Sequence, residues 1–461
     1  MRKLLLSIAL FLIVWCSLGQ QTVLPFKTFG GEQPDLFTHM VEMDNAEIWA
    51  IGASGSNLQG NSDVWLQRTN EALDCIESKT FGSSGVDRAE CIVKDDLGNA
   101  YIIGYTNGYG AQEYDALVIK VNSEGDEVWV KTIGANDWDF ATCGAWINGK
   151  LVVGGYSYLN AASSSVWTFE LDEDGTVLSE SLMGAIGDAW MNDIMTTEDG
   201  NLLYMYTQRT AADFSEVLIK KVDNVGNELW TYLQNDDTHS MQGLGISEID
   251  GVYYFTGKRD LNDLTSTFVL RLSGEGDFVE ELIYEQTNDF YVMKVLPIND
   301  SRIFVMNTFT FGAGGCDGGY LVFSQYFGFL NSVTFGGTSN DFLHDAMVTS
   351  SGKVISCGEY NSYSDQLPQG MLVILPEVNA EGYSYQTVND QSCFIVGVQE
   401  MVSTALIDFL GNWHIYDLSG RKLAQYYGSE KQVKEELNQW PSGLYLMQAE
   451  NGGAIKYLIG H

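Results

Sequence analysis

Proline and basic residues are scarce in this chain. Its 461 residues include 6 Pro and 24 Lys or Arg, against 61 Asp or Glu, and no low-complexity run is present. The negative charge repels phosphate backbones and disfavours nucleic-acid binding. It indicates either a solubilising exterior, which we favour, or an affinity for cations and basic partners. With 49 Gly and 12% aromatic residues, the composition is typical of a packed, turn-rich β protein and excludes a disordered chain.

Familiar catalytic signatures are also missing. Histidine occurs five times, without an HExxH motif, and no Gly-x-Ser-x-Gly nucleophile elbow is present. We therefore predict that the protein is not an enzyme. The many acidic residues keep one alternative open, because two carboxylates at a suitable separation can hydrolyse a glycosidic bond.

Long apolar runs are missing after the first residues. Arg2 and Lys3 precede an apolar stretch, Leu4 to Trp15, which is too short to span a bilayer, and Ser17-Leu18-Gly19 is typical of a cleavage site. Residues 1–19 are therefore predicted to be a signal peptide, and the mature chain has no predicted transmembrane segment. Its 22 basic and 61 acidic residues give a formal charge of −39. Cys16 suggests a lipoprotein instead, but Trp15 before it fits a lipobox poorly.

Cysteine is infrequent, and its spacing indicates no metal site. Six cysteines remain after residue 19, without a CxxC pair or zinc-ligand spacing: Cys75, Cys91, Cys143, Cys316, Cys357 and Cys393. Export permits disulfides. Cys91 and Cys143 lie at the same offset in adjacent repeats, but a disulfide needs Cα atoms within about 7 Å. We favour buried free thiols.

What the sequence does have is a repeat of 50 or 52 residues. Each copy starts at an apolar residue that is usually followed by Gly, and the starts are Phe29, Phe81, Ile133, Met183, Leu233, Ile283 and Phe335. Within a copy, four short β-rich runs are separated by turn residues. Four antiparallel strands repeated seven times predict an all-β protein with a seven-bladed β-propeller over residues 20–386.

Two details of the propeller can be predicted. Gly52, Gly104, Gly155, Gly257 and Gly358 recur at the end of the second run. We expect them to allow close backbone packing in each blade. The seventh copy lacks a clear fourth run, and Thr22 to Phe29 is predicted to supply it, which would close the ring and remove an open edge. Gly382 to Val388 is the competing segment.

Residues 387–461 follow a different β pattern, predicted to form a small β-sandwich. Its residues Asp417, Gly420, Arg421, Pro441, Gly443 and Tyr445 belong to the segments Asp-Leu-Ser-Gly-Arg and Leu-x-x-x-Pro-x-Gly-x-Tyr. This tail resembles the C-terminal sorting domain of proteins that the type IX secretion system of Bacteroidetes exports. The resemblance implies a type IX translocon as partner and a secreted or cell-surface location. The alternative is a generic β-sandwich appendage.

The repeats also place acidic residues at one offset, where each inner strand begins. Asp35, Asp87, Asp139, Asp289 and Asp341 share the offset, Asp188 lies one residue early, and His239 takes the place of Asp in the fifth repeat. Such carboxylates around a channel mouth would suit Ca²⁺, which prefers oxygen ligands. The alternative, which we favour, is that each Asp closes its own turn by accepting backbone hydrogen bonds. No cofactor is then required.

Trp138 and Trp190 interrupt the pattern near the same mouth. Exposed aromatic rings there would stack on sugars, although such residues more often fill the space between blades. The Gly-x-x-x-Trp segments that end at Trp129 and Trp230 resemble quinoprotein-type propeller repeats, a likeness that blade packing explains. We predict a binding or adhesion propeller for an extracellular glycan or protein. The alternative function is a polysaccharide-active enzyme, either a glycoside hydrolase or a lyase.

Overall fold

The structure is a computed structural model, and its described residues form β-strands and no helix. These residues are 22–56, 61–111, 113–135, 137–158, 163–183, 188–210, 214–236, 238–261, 264–284, 290–309, 315–325, 327, 329–336, 339–361, 367–375, 383–389, 411–416, 422–428, 443–449 and 454–459. The signal-peptide prediction therefore lies outside the described residues. The chain divides into one unit up to Glu400 and a second unit from Met401.

The first unit is a seven-bladed β-propeller, which confirms the predicted fold class. Blade 1 consists of β2 (Asp35–Glu42), β3 (Ile48–Ser54), β4 (Asp63–Thr69) and β5 (Cys75–Phe81). Blade 2 consists of β6 (Asp87–Lys94), β7 (Ala100–Thr106), β8 (Asp115–Val121) and β9 (Glu127–Ile133). Blade 3 consists of β10 (Asp139–Ile147), β11 (Lys150–Tyr158), β12 (Ser164–Leu171) and β13 (Val177–Met183).

The next three blades have the same antiparallel order. Blade 4 consists of β14 (Ala189–Thr196), β15 (Leu202–Arg209), β16 (Ser215–Val222) and β17 (Glu228–Gln234). Blade 5 consists of β18 (Ser240–Ile249), β19 (Val252–Leu261), β20 (Leu264–Ser273) and β21 (Phe278–Tyr284). Blade 6 consists of β22 (Phe290–Ile298), β23 (Ser301–Thr308), β24 (Asp317–Ser324) and β25 (Phe329–Phe335).

Blade 7 closes the ring with the N-terminal strand, as predicted. It contains β26 (Phe342–Val348), β27 (Val354–Tyr360) and β28 (Gln369–Leu375), and β1 (Thr22–Phe29) pairs antiparallel with β28. The competing segment takes part as well, because β29 (Tyr383–Asn389) pairs in parallel with the outer side of β1. The last blade is thus a five-stranded sheet.

The hydrophobic core lies between neighbouring blades. Trp49, Ile51 and Leu66 of blade 1 pack against Ile102 and Ile119 of blade 2, and every other junction is built in the same way. Each blade is therefore buried on both faces, which explains why its middle strands are apolar throughout.

A β-bulge interrupts the inner strand of every blade at the same level. The bulge residues are Thr38, Glu90, Thr142, Asn192, Leu244, Met293 and His344. The recurrent Gly of the second strand lies opposite: a Cβ on Gly104 would meet the Arg88 carbonyl oxygen at 1.9 Å. The other four members of the set make equivalent approaches, at 1.8–2.3 Å. Their predicted role in close backbone packing is thus the one observed.

The Gly-x-x-x-Trp segments join one blade to the next. The indole nitrogens of Trp129 and Trp230 donate to the carbonyl oxygens of Glu173 and Gly274 in the hairpin turn of the following blade, both at 3.1 Å. In each of these turns a glycine packs on the indole ring, so a larger residue would displace it.

The thiols of Cys91, Cys143, Cys316 and Cys357 are free and buried, as expected. The expectation is wrong for Cys75, which is disulfide-bonded. Burial raises the pKa of each of the four free thiols and keeps them protonated.

The second unit contains one four-stranded antiparallel sheet in its described part. Its strands are β30 (Gly411–Tyr416), β31 (Lys422–Gly428), β32 (Gly443–Ala449) and β33 (Ala454–Ile459), in the order β31, β30, β32, β33. Gly443 and Tyr445 lie on β32, whereas Asp417, Gly420, Arg421 and Pro441 lie outside the described residues. Within the residues that are described, no helix is long and apolar enough to cross a membrane.

Candidate functional site

A cavity in the central channel of the propeller encloses about 310 Å³. All seven bulge residues line it, together with residues that follow them on the inner strands. A bulge re-aims side chains and is common next to functional sites. Here it directs a different residue from each blade to one level of the channel, so the repeated scaffold carries a varied lining.

A buried ion pair occupies this level. Lys294 Nζ lies 2.8 Å from Asp345 Oδ1, and His39 Nε2 lies 3.5 Å from Asp345 Oδ2. Burial disfavours an ionised Asp345, but the charges of His39 and Lys294 outweigh it and hold the pKa of Asp345 below its usual value. The Met40 N–H also donates to Asp345 Oδ2, at 3.3 Å. The pair therefore links blades 6, 7 and 1.

Asp193 lies on the opposite arc of the same level. It accepts a hydrogen bond from the Ile246 N–H of the next blade, at 2.9 Å. Removal from water raises the pKa of Asp193 to about 6, although Lys294 and this N–H favour its ionised form. Asp193 and Asp345 are thus two channel carboxyl groups whose pKa values are shifted in opposite directions.

Two further charged groups line the channel. Glu90 forms an ion pair with Arg88 at 2.8 Å, and burial raises the pKa of Glu90 despite this partner. Lys258 forms no ion pair with any described residue, and its ammonium lies 3.9 Å from the centre of the Tyr291 ring. Burial lowers the pKa of Lys258.

Two positions before the bulges, each inner strand carries one residue of a second layer, which we call the mouth layer; Tyr291 is its member that lines the cavity. Because side chains alternate along a strand, the residue two positions before each bulge projects on the same side of the strand as the bulge residue. The mouth layer is Leu36, Arg88, Phe140, Trp190, Gln242, Tyr291 and Phe342. Every member is half-buried, and four of the seven are aromatic.

Three of the predicted loop aspartates bind the backbone of their own loops, and Asp341 binds the backbone just after β27. Asp35, Asp87 and Asp139 each accept the N–H of the residue four positions earlier, at 2.8, 2.6 and 2.7 Å. Asp341 accepts the Asn361 N–H at 2.6 Å. All four are buried, and desolvation raises the pKa of Asp35. The contacts of Asp35, Asp87 and Asp139 are those of turn-closing residues, whereas Asp341 joins its loop to the end of the next strand.

The positions of the bulges show that the repeat alignment of these aspartates is wrong in three blades. Counted back three residues from each bulge, the position of these aspartates is occupied by Ala189, Met241 and Phe290 in blades 4, 5 and 6. Asp188 and His239 therefore lie one and two residues before it, because the connecting loops differ in length. Asp289 lies outside the described residues. The aspartates share one position in four blades, rather than forming the nearly complete ring that the alignment suggests.

Asp188 and His239 instead have partners of their own. Asp188 accepts the Ser164 N–H at 3.2 Å and lies 3.4 Å from Arg209. His239 Nδ1 lies 3.2 Å from Asp236, which also pairs with Arg259. Burial disfavours an ionised Asp236, but hydrogen bonds from Thr238, Arg259 and His239 outweigh it and hold the pKa of Asp236 below its usual value. Among the described residues, no group of three or more His, Cys, Asp or Glu is arranged for a metal ion.

Trp138 and Trp190 differ from the other tryptophans of the propeller. The indole nitrogens of Trp49, Trp65, Trp129, Trp146, Trp167 and Trp230 each donate a hydrogen bond to the protein. Those of Trp138 and Trp190 have no protein partner among the described residues. Trp138 is 49% exposed. Both residues lie where the inner strands begin, which is the mouth side of the channel.

Sequence reasoning missed the bulge residues and the ion pair. A signal was present: nine to eleven residues after the repeat start, buried inner strands carry His39, Glu90, Asp193, Lys294 or Asp345 where an apolar residue is expected. Only the Cys91 and Cys143 members of this position were recognised, as equivalent positions in adjacent blades.

The loop role of the aspartates can be tested at Asp139. We expect Asp139→Ala to lower the free energy of unfolding by about 1 kcal/mol, since it removes the acceptor of the Ala135 N–H. Urea denaturation of both chains measures this loss. A calcium-dependent rise in melting temperature that disappears in the variant would contradict the local role, because a ligand of the native state stabilises it by mass action.

Comparisons with known proteins show the fold alone. No family model matches the chain, and no curated protein is similar to it. Drosophila Plexin A, solved in complex with Semaphorin 1b, has a TM-score of 0.48 and 7% identity, over 78% of this chain and 88% of that one. The propeller domain of the Trilobed protease from Pyrococcus furiosus has a TM-score of 0.45 and 10% identity, over 75% of this chain and 97% of that one. The periplasmic gluconolactonase of Pseudomonas aeruginosa has a TM-score of 0.44 and 11% identity, over 72% of this chain and 96% of that one.

Proposed function

We propose that this protein is an exported, non-catalytic binding propeller whose ligand enters the mouth of the central channel. One observation carries the proposal: seven equivalent bulges present seven side chains of six kinds, while the supporting glycines and cores repeat from blade to blade. A residue that the fold needs recurs in most blades. A lining that varies is free to recognise a ligand.

The chemistry of the mouth supports a binder. Glu90 is held by Arg88, and Asp345 by Lys294 and His39, so these carboxylates are engaged within the protein. Lys258, without an ion pair in the described chain, and the half-buried aromatic rings remain available to a ligand. A few placed polar groups among aromatic side chains are typical of ligand sites.

A binding screen tests the proposal. The purified chain is applied to an array of glycans and to an array of extracellular proteins, with calcium and with a chelator. We expect at least one ligand whose affinity falls at least tenfold in Lys258→Met. Lys150→Met is the matched control, because Lys150 begins β11 at the other end of the blade and pairs with Glu170. Absence of any ligand, or equal loss in both variants, would overturn the proposal.

The export part of the proposal concerns residues 387–461. We propose that this tail directs the chain through the type IX translocon to the cell surface or the medium, supported by its motif pair. Deletion of residues 401–461, the second unit, keeps β29 whole and should leave a folded chain in the periplasm, measured by cell fractionation and protease resistance in a type IX host. Deletion of residues 57–60 serves as the control for chain shortening. A truncated chain that still reaches the surface would contradict the assignment.

A second candidate, a glycoside hydrolase, is supported by the two channel carboxyl groups. Opposite pKa shifts of two titratable groups are the arrangement that separates an acid from a base. Asp193, with a pKa of about 6, would be the acid, and Asp345 the base or nucleophile. Release of reducing ends from a bound polysaccharide, lost in Asp193→Asn, would favour this function over the binder.

The protonation of Asp193 has a consequence for stability in either case. Its pKa is raised in the folded chain above the ordinary value of 3.8, so between about pH 4 and 6 the unfolded chain loses a proton that the folded chain keeps. This contribution to stability is present at low pH and is lost as the pH rises through about 6. We therefore expect the stability of Asp193→Asn relative to the wild type to increase from pH 4 to 6 and then level off. A pH-independent difference in urea denaturation would contradict this.

A further inference from the structure

Six aromatic rings form one connected surface at the junction of blades 2 and 3. They belong to Tyr105, Tyr114, Trp138, Phe140, Tyr156 and Tyr158, which we call the aromatic platform. Phe140 lies at its centre, 4.9 Å from Tyr105, 5.6 Å from Tyr114 and 5.0 Å from Tyr156 between ring centroids. Trp138 contacts Tyr114, Phe140 and Tyr158 at 6.0–6.4 Å. The platform is continuous with the channel mouth, to which Phe140 also belongs.

The scaffold holds these positions by backbone bonds that do not require aromatic side chains. The Asp139 N–H donates to the Tyr114 carbonyl at 2.7 Å, and the Tyr158 N–H donates to the Trp138 carbonyl at 2.9 Å. The same two bonds recur in other blades. There Pro368, Ser62 or Cys316 takes the position of Tyr114, and Pro34, Val86 or Asp188 takes that of Trp138.

The positions of Tyr156 and Tyr158 do not require aromatic side chains either. Strand register aligns Tyr158 with Gly55 and Asn107, which follow the second strand of blades 1 and 2. It aligns Tyr156 with Ala53, Thr207, Lys258, Asn307 and Glu359 of other blades. Because other residues serve every one of these positions, the folding of a blade does not explain why rings gather at this junction.

The polar atoms of the platform are not used by the protein. In the described chain, the hydroxyl groups of Tyr105, Tyr114, Tyr156 and Tyr158 make no hydrogen bond to another residue, and neither does the Trp138 indole nitrogen. Buried Tyr and Trp usually find a partner for these groups. In the platform, the flat apolar faces of the rings therefore lie beside hydroxyl and indole donors that have no partner in the described chain.

We propose that the aromatic platform binds a neutral polysaccharide. The apolar face of a sugar ring stacks on an aromatic ring, while its hydroxyl groups match phenol and indole donors. Trp138 is 49% exposed and the other five rings are half-buried, so the accessible surface is a few rings wide. The exposed area of these six rings is therefore smaller than the roughly 800 Å² that each partner of a stable protein interface covers. The formal charge of the chain, −37, repels acidic polysaccharides.

This inference rests on the proposed binding function and names the class of its ligand. The test is affinity electrophoresis of the purified chain in gels that contain hydroxyethylcellulose, mixed-linkage β-glucan, mannan, dextran or alginate. We expect retardation by at least one of the four neutral polymers and none by alginate. Trp138→Ala should weaken the retardation at least tenfold while the chain stays folded, because Trp138 is 49% exposed and its backbone bond is kept.

Two further variants make the test specific. Tyr158→Phe removes one hydroxyl group and keeps the ring, so we expect a smaller, several-fold loss. Phe278→Ala removes a ring of similar exposure, 53%, on the outer strand β21, and should bind as the wild type does. Retardation that is equal in Trp138→Ala and the wild type, or that is given by alginate alone, would overturn the inference. A protein ligand that binds the mouth and no glycan would overturn it too, while leaving the proposed binding function intact.

Discussion

Lys294→Met is expected to lower the free energy of unfolding by about 3 kcal/mol, because it leaves the carboxylate of Asp345 buried without its partner. Asp345 has a side chain that is only 6% exposed and lies 2.8 Å from Lys294. The remaining contacts, to His39 and the Met40 N–H, are longer, at 3.5 and 3.3 Å. Methionine retains most of the volume of the lysine stem, so the loss reports the charge rather than a cavity. Urea denaturation near pH 7 measures it.

Two controls separate the ion pair from a general effect of channel substitutions. Lys258→Met removes a channel lysine that forms no ion pair with a described residue, and should cost much less. The double variant Lys294→Met with Asp345→Leu should recover part of the loss, since apolar residues often replace a buried ion pair without cost. If the free energy of unfolding of Lys294→Met lies within about 0.5 kcal/mol of that of the wild type, the ion pair does not hold blades 6 and 7 together.

Gly104→Ala is expected to destabilise the propeller by about 3 kcal/mol. Its Cβ would lie 1.9 Å from the Arg88 carbonyl oxygen and 2.9 Å from the Ala89 Cα, both backbone atoms that move only if the bulge at Glu90 moves. Overpacking of a core by a single group typically costs 1–3 kcal/mol, and contact with backbone lies at the upper end of this range.

Gly274→Ala is the matched control for this substitution. The nearest atom to its added Cβ would be the Gly251 carbonyl oxygen, at 3.9 Å, which is an ordinary van der Waals distance. We expect a change of less than about 0.5 kcal/mol, as for most surface substitutions. Equal midpoints in urea denaturation for both variants would refute the packing role of the recurrent glycines.

The two predictions are connected through the bulges. Each recurrent glycine lets the inner strand approach its neighbour, and the bulge beside it directs one residue into the channel. Substitution at Gly104 should therefore alter both stability and the position of Glu90, whereas substitution at Trp138 should alter binding alone.

The number of blades and the closing strand were predictable from local features. Repeat starts 50 or 52 residues apart lie at the last or last-but-one residue of the outer strands, and Thr22–Phe29 matches the missing run of the last copy. Asp35, Asp87 and Asp139 were predictable as turn residues, since an Asx hydrogen bond involves only its own loop, whereas the contact of Asp341 with Asn361 depends on the pairing of β26 and β27. Their alignment failed in blades 4 to 6, because loop lengths shift the inner strands by one or two residues, which the repeat period does not reveal.

The sequence by itself determined the architecture, because strand alternation, turns and a fixed period are local and are repeated seven times. It also singled out Trp138 and Trp190, the two propeller tryptophans whose indole nitrogens have no protein partner in the described chain. Only the tertiary structure decided which residues meet. Lys294 and Asp345 are 51 residues apart, and Tyr114 and Phe140 belong to different blades. Such contacts depend on the rotation from one blade to the next and on the bulges, which bring distant residues to one level of the channel.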